Sequence, residues 1–321
     1  MYGYFVERKM MGEFPYTDLA VERRRADTNL LGVHYTKENC PSGSWERLRI
    51  STKSAAESIG RPIGSYNTLN LNRMDMLDSA EIEDAKDEIA KELCQMLDQS
   101  DIFPERIVVA GLGNRNLTPD SIGARCADAV KPTMHIKNFD IQMFESLNCA
   151  EIAVCTPGVA STSGLDAAVM LRGICDIIKP NAVIAIDALA SRSATRLGRT
   201  IQICNTGIAP GSGIGNPRVS LGEETLGVPV IAIGVPTVVD AATVASDSIE
   251  MLTETIRVNS GEDSQLFRAL KSFDDENRYT LIKEVLNPFV GNLIVTPKEV
   301  DGIIDDISSV ISDSINSALL Q

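Results

Sequence analysis

Five stretches of the chain are apolar without polar alternation: Arg106-IVVAG, Glu151-IAVCT, Ala182-VIAID, Thr200-IQIC and Pro229-VIAIG. A strand with one wet face alternates apolar and polar residues. Unbroken apolar runs therefore predict strands covered on both faces, as in a parallel sheet lying between helices. Helical spacing intervenes, for example over residues 164–178, so the pattern predicts an α/β fold with a largely parallel twisted sheet in three α/β/α layers. Upstream, residues 47–52 and 65–70 read as a pair of strands with Pro62 and Gly64 turning the chain between them. Residues 79–98 read as a helix, with Ile82, Ala85, Ile89, Leu93 and Leu97 on one face and acids and lysines on the other. Residues 297–320 carry Val300, Ile303, Ile304, Ile307, Val310, Ile311 and Ile315 at helical spacing, which predicts a long amphipathic helix packed on the body. Residues 1–30 are polar and charged, with ERRRAD at 22–27, and read as a mobile arm or flap. No repeat or low-complexity linker divides the remainder, so one domain with an N-terminal extension is expected.

Composition narrows the function classes. Among 321 residues, 30 Lys+Arg face 44 Asp+Glu, a formal net charge of −14, which repels phosphate backbones and argues against direct nucleic-acid binding. The most apolar stretch, residues 225–239, is interrupted by Pro229 and Pro236 and is shorter than the roughly 18 residues of a membrane span. It predicts a core strand and no membrane partner. The first residues, MYGYFVERKMMGEF, hold no run suited to a signal peptide, so a cytoplasmic location is expected. Seven cysteines form no CxxC pair and read as buried small hydrophobes in a reducing compartment.

In α/β sheets, functional residues gather at the carboxyl ends of strands. Four loops stand there: Gly111-LGNRNLTPD, Thr156-PGVASTSG, Asp187-ALASRS and Asn205-TGIAPGSGIGN. Asp187 follows four apolar strand residues, where a carboxylate is desolvated unless something binds it; a helix cap or a loop brace is the bland alternative. Asp120, in Thr118-Pro-Asp, has the same alternative as a first-turn acid. Two carboxylates on neighbouring strand ends can share a proton, one activating water while the other polarises a carbonyl. With two histidines, His34 and His135, both outside these loops, a Ser-His or Cys-His mechanism lacks a base. No GxSxG or HExxH signature occurs. Gly111-Leu-Gly113 after a strand admits a dinucleotide-dependent oxidoreductase, although Asn116 stands at the third glycine position. A catalytically silent binding protein also stays open.

At these loops the sequence resembles the germination proteases of spore-forming bacteria. The matching motifs are Asp18-LAVE, Ile59-GRPIGSYNTL, Gly111-LGN, Thr118-PD, Ala182-VIAIDALA with Arg192, Thr200-IQI, Thr206-GI, Pro210-GSGIGN, Glu224-TLGVPVIAIGVPTVVDA and Val295-TPKEVD. The resemblance implies an aspartic-type endopeptidase with Asp120 and Asp187 catalytic, on a phosphorylase/hydrolase-like fold similar to hydrogenase-maturation peptidases. It implies small acid-soluble spore proteins as substrates, a homotetramer, and the forespore or spore core as location. No cofactor is expected, and the scarcity of histidine argues against a dedicated transition-metal site, though two carboxylates can hold a cation. The resemblance further implies a zymogen that removes its own propeptide, residues 1–18, by cutting between Asp18 and Leu19, leaving a peptidase domain of residues 19–321. Asn114, Arg192, Gly211, Ser212 and Gly213 are expected to contact substrate, the small residues of the glycine loop suiting an extended peptide backbone. Ala209 and Asn205 depart from the usual His and Asp of the family, and residues 160–163 also differ, which weakens any catalytic role for positions 205 and 209.

Overall fold

The computed structural model describes residues 17–24, 30–72, 78–211, 219–261, 265, 268, 275–290 and 293–320. Nine strands are found among them: β1 (Val33–Cys40), β2 (Gly43–Ile50), β3 (Gly64–Leu71), β4 (Arg106–Gly111), β5 (Glu151–Cys155), β6 (Ala182–Ser191), β7 (Thr200–Cys204), β8 (Val230–Asp240) and β9 (Ile294–Val295). They form one sheet in the order β1-β2-β3-β7-β8-β6-β4-β5, with β9 pairing β8. The five apolar runs of the sequence supply β4 to β8.

The α/β character and the covered sheet agree with the pattern, and β5-β4-β6-β8 is a parallel core. The sheet continues antiparallel through β7, β3, β2 and β1. Connection length accounts for the reversals at β7 and between β1 and β2. A parallel return needs a crossover of a dozen or more residues. β6 reaches β7 through residues 192–199, and β1 reaches β2 through Pro41 and Ser42 alone. β1 escapes the hydrophobic pattern because His34 and Thr36 to Asn39 are exposed on an edge. A short helix, Lys53–Ile59, fills the space where the sequence suggested only a turn.

Alternation along the buried strands sorts the core. Ile107, Val109, Ala182, Ile184 and Ile186 face helices Ser79–Gln99, Ile122–Ala129 and Val300–Leu319. Val108, Ala110, Val183 and Ala185 face helix Ala167–Ile178 on the other side. Both long helices match their expected spans, and the first starts with a reciprocal capping box between Asp78 and Glu81. One acid leaves the outer face assigned to it: Glu92 is buried, accepting from Arg47 at 2.6 Å and from Asn67 at 2.5 Å. Two donors compensate its desolvation. Among the described residues no helix is long and apolar enough to cross a membrane.

The C-terminal helix buries Ile304, Ile307, Ile311 and Ile315 completely or nearly so. Ile311→Ala removes fully buried methyl groups from a packed interface, and the expected cost is about 3 kcal/mol. Urea unfolding monitored by circular dichroism measures it; a loss under about 1 kcal/mol contradicts the packing described.

Candidate active site

β6 pairs with β4 only as far as Ile186, opposite Gly111, and then runs on to Ser191. At this point β4 becomes a loop that folds over the strand ends. Leu112 N–H donates to the Ile186 carbonyl at 2.8 Å. Gly113 has φ +90°, and a Cβ there would lie 2.1 Å from the Asp120 carbonyl oxygen. Only glycine fits such a turn at that spacing. The Asn114 N–H donates to Asp120 Oδ2 at 2.8 Å, the Asn114 side chain accepts from the Asn116 N–H at 3.0 Å, and residues Thr118–Asp120 close as a 3-10 turn. Thr237 of β8 donates to the Pro119 carbonyl at 2.6 Å and ties the loop down. Asp120 is thus fixed by its own loop.

Asp187 lies within β6, opposite Gly234 of β8, and is 3% exposed. The sequence pattern places Asp187 at the end of its strand, but β6 runs four residues beyond it. The loop after β4 and the middle of β6 nevertheless reach one space, and Asp120 and Asp187 line one cavity of about 360 Å³. Leu117, Pro119, Thr237, Gly211 and Asp18 share that lining, and Ile294 and Thr296 close another side. The Gly111-Leu-Gly113 spacing serves internal contacts here. A Cβ on Gly111 would meet the Gly123 carbonyl at 2.1 Å, so its role is helix–strand packing, which removes the support for a dinucleotide fingerprint.

The expected substrate-contacting residues separate. Gly211 lines the cavity, and Asn114 holds Asp120 through its backbone. Arg192 is outside the lining and pairs with Asp247 at 3.3 Å. Ser212 and Gly213 lie outside the described residues. Thr237, Ile294 and Thr296 are lining residues that sequence reasoning missed; they carry no charge or pattern that marks them, although Thr237 and Thr296 fall inside the family-like motifs. His34 and His135 are exposed and outside the cavity. Burial pushes the thiols of Cys126 and Cys204 up and raises Cys155 to about 11. Protonated thiols are poor nucleophiles. Among the described residues no three His, Cys, Asp or Glu groups gather as a metal site.

Residues Thr17–Arg23 correct the expectation of a mobile arm across residues 1–30. Leu19 and Ala20 are fully buried, packed with Leu48, Ile50, Ile59 and Leu189. Asp18 takes the edge of β6 that β4 vacates: its N–H donates to the Ala190 carbonyl at 2.8 Å, and its Oδ2 accepts from the Ala190 N–H at 2.9 Å. Ala20 N–H donates to Gln202 at 2.8 Å. Glu22 accepts from the N–H groups of Arg192 and Ser193 at 2.7 and 3.1 Å. Unpaired strand edges demand partners, and this one finds them in the N-terminal segment. Residues 1–16 and 25–29 lie outside the described residues.

The family model described as germination protease matches residues 16–272 and 253–321. A germination protease of Caldanaerobacter subterraneus subsp. tengcongensis is 41% identical over 308 residues, covering 94% of this chain and 93% of its own. One from Clostridium acetobutylicum is 40% identical over 309 residues, 94% of each chain, and one from Bacillus cytotoxicus is 35% identical over 342 residues, covering 94% and 93%. A solved structure, the [NiFe] hydrogenase maturation protease HycI of Thermococcus kodakarensis KOD1, is 17% identical over 46% of this chain and 80% of its own, with a TM-score of 0.30. That likeness is too slight to bear on the fold, which rests on the sheet order itself.

The clamp on the N-terminal segment is pH-sensitive. Arg196 bridges Glu22 at 3.4 Å and Glu46 at 2.9 Å. Burial alone would raise the Glu46 carboxyl, but hydrogen bonds from Asn70 and Tyr35 and the Arg196 charge outweigh it and hold it below the ordinary glutamate range. A depressed folded-state value contributes stability above the unfolded pKa of about 4.3, lost as pH falls through the folded value. Glu46→Gln is expected to lower stability at pH 7 and to converge with wild type as pH falls through the folded value. Denaturant midpoints across that range test it; a constant offset contradicts it.

Proposed function

The chain belongs to the germination protease family and is therefore a peptidase, and from that premise we propose that it is a self-processing aspartic-type endopeptidase. One observation carries the reading: Asp120, Asp187 and Asp18, the residue before the expected cut, line the same cavity of about 360 Å³. In the proposed mechanism the two carboxyls approach within the cavity and share one proton, because like charges at close range resist joint ionisation. The ionised member takes a proton from water as it attacks the peptide carbonyl. The protonated member polarises that carbonyl and then delivers its proton to the departing amine. Asn114 and Gly113 hold Asp120 in place, and the strand framework holds Asp187.

On this reading the chain is made as a zymogen whose residues 1–18 are a propeptide. Its N-terminal segment is an intramolecular occupant of the site, anchored by Leu19 and by the edge pairing of Asp18 with Ala190. Cutting between Asp18 and Leu19 frees the cavity for substrate. By family membership the proposed substrates are small acid-soluble spore proteins, the proposed assembly is a homotetramer and the proposed location is the spore core.

Asp120→Asn and Asp187→Asn are expected to lower peptide cleavage by about 10²–10⁴-fold while the far-ultraviolet dichroism and melting profile stay native. Wild-type-like turnover by either purified variant removes that residue from the mechanism. Mass spectrometry of the activated wild type is expected to give a new N-terminus at Leu19, absent in Asp187→Asn. Full activity from a chain still beginning at Met1 overturns the self-processing step.

A further inference from the structure

Behind Asp18 lies a second, smaller cavity of about 60 Å³, lined by Arg61, Tyr66, Gln202, Cys204 and Gly234 among others. Asp18 lines both this cavity and that of Asp120 and Asp187. Two arginines converge there. Arg61 donates to the Thr17 carbonyl at 3.1 Å and stands 3.7 Å from Asp18 Oδ1, with side-chain exposures of 15% and 7%. Arg23 donates to the same Thr17 carbonyl from Nε at 3.2 Å and from its terminal nitrogen at 2.9 Å. Burial, and next the Arg61 charge, bring Arg23 down to about 10. The chain builds this corner deliberately: helix Lys53–Ile59 ends at Gly60 in the left-handed conformation (φ +68°), where a Cβ would come within 3.1 Å of the Arg23 guanidinium. Pro62 then fixes the exit of Arg61.

Arg61 is not fully used. The Nε of Arg61 is buried and, among the described residues, makes no hydrogen bond. A buried guanidinium with an idle donor is unfavourable unless something else binds it. The guanidinium fork matches a carboxylate through two parallel N–H donors. At 3.7 Å Asp18 does not complete that fork.

We infer that Arg61, supported by Arg23, forms the subsite that receives an acidic side chain on the substrate residue preceding the cut bond, and that Asp18 is its occupant before processing. The inference rests on the endopeptidase reading above. The substrate backbone enters as Asp18 does, along the free edge of β6 at Ala190, and its carboxylate turns into the Arg61 corner. In the unprocessed chain the same corner is filled, so propeptide and substrate compete for one cation. Arg61 is a specificity residue here: it touches the residue beside the reacting bond and not the bond itself.

Two synthetic peptides test this, one spanning Phe14 to Arg23 of this chain and one identical but for the Asp18→Asn change. Each is cleaved by activated full-length wild type, Arg61→Gln and Arg61→Lys, and kcat/KM is compared as the acid-to-amide ratio. Wild type is expected to favour the acid by about 10- to 100-fold, the range a hydrogen-bonded charge supports. Arg61→Gln is expected to bring the ratio to near unity, and Arg61→Lys to an intermediate value, a point charge replacing the fork. A variant damaged in folding loses both peptides alike and leaves the ratio where wild type has it. That outcome, like an undamaged Arg61→Gln with the wild-type ratio, overturns the inference alone. Cleavage of neither peptide by wild type overturns the endopeptidase reading and the inference with it.

Discussion

β6 is longer than the strand beside it, and the site depends on that mismatch. β4 stops at Gly111 opposite Ile186, while β6 continues through Asp187 to Ser191 with β8 on its other side. The vacated edge is a row of backbone donors and acceptors that must be paired. It is filled at Ala190 by Asp18, and the loop that leaves β4 crosses the strand, which puts Asp120 on the cavity that Asp187 also lines. The same mismatch therefore creates the cavity, places both acids in it, and draws the N-terminal segment to its side.

Holding two acids at such a place requires rigid neighbours. The Asp120 loop gets its rigidity from short-range geometry: a glycine that tolerates close contact with the Asp120 carbonyl, an Asn114 N–H aimed at the carboxyl, and a Thr237 hydroxyl on Pro119. Asp187 gets it from the sheet, where register fixes its position against Gly234. Loop and strand supply different kinds of order, and only the strand part is secured by the hydrophobic core. Charge completes the surroundings. Glu22, Glu46, Arg196 and Asn70 form a connected group that fastens the N-terminal segment to the loop after β6, and Arg61 and Arg23 hold the Thr17–Asp18 corner.

Hydrophobic patterning by itself determined the buried strands from β4 to β8, the helices Ser79–Gln99 and Val300–Leu319, and the α/β class, because burial on both faces leaves an unmistakable apolar run and helix packing leaves a 3.6-residue period. It also marked Asp187, since an acid directly after an apolar run is conspicuous, while Asp120 was marked by its loop and the quoted motifs, which marked the family as well. Tertiary structure alone decided the rest. The antiparallel half of the sheet depends on connection lengths and on an exposed edge strand whose residues carry no apolar signal. The burial of Glu92 depends on donors from two distant strands. The burial of Leu19 and the edge pairing of Asp18 depend on a gap that exists only because β6 runs on past the end of β4. Arg61, more than forty residues from Asp18 in sequence, becomes its neighbour by the same closure. Local sequence records what a residue prefers to be near; which distant group satisfies that preference is settled by the packing of the sheet.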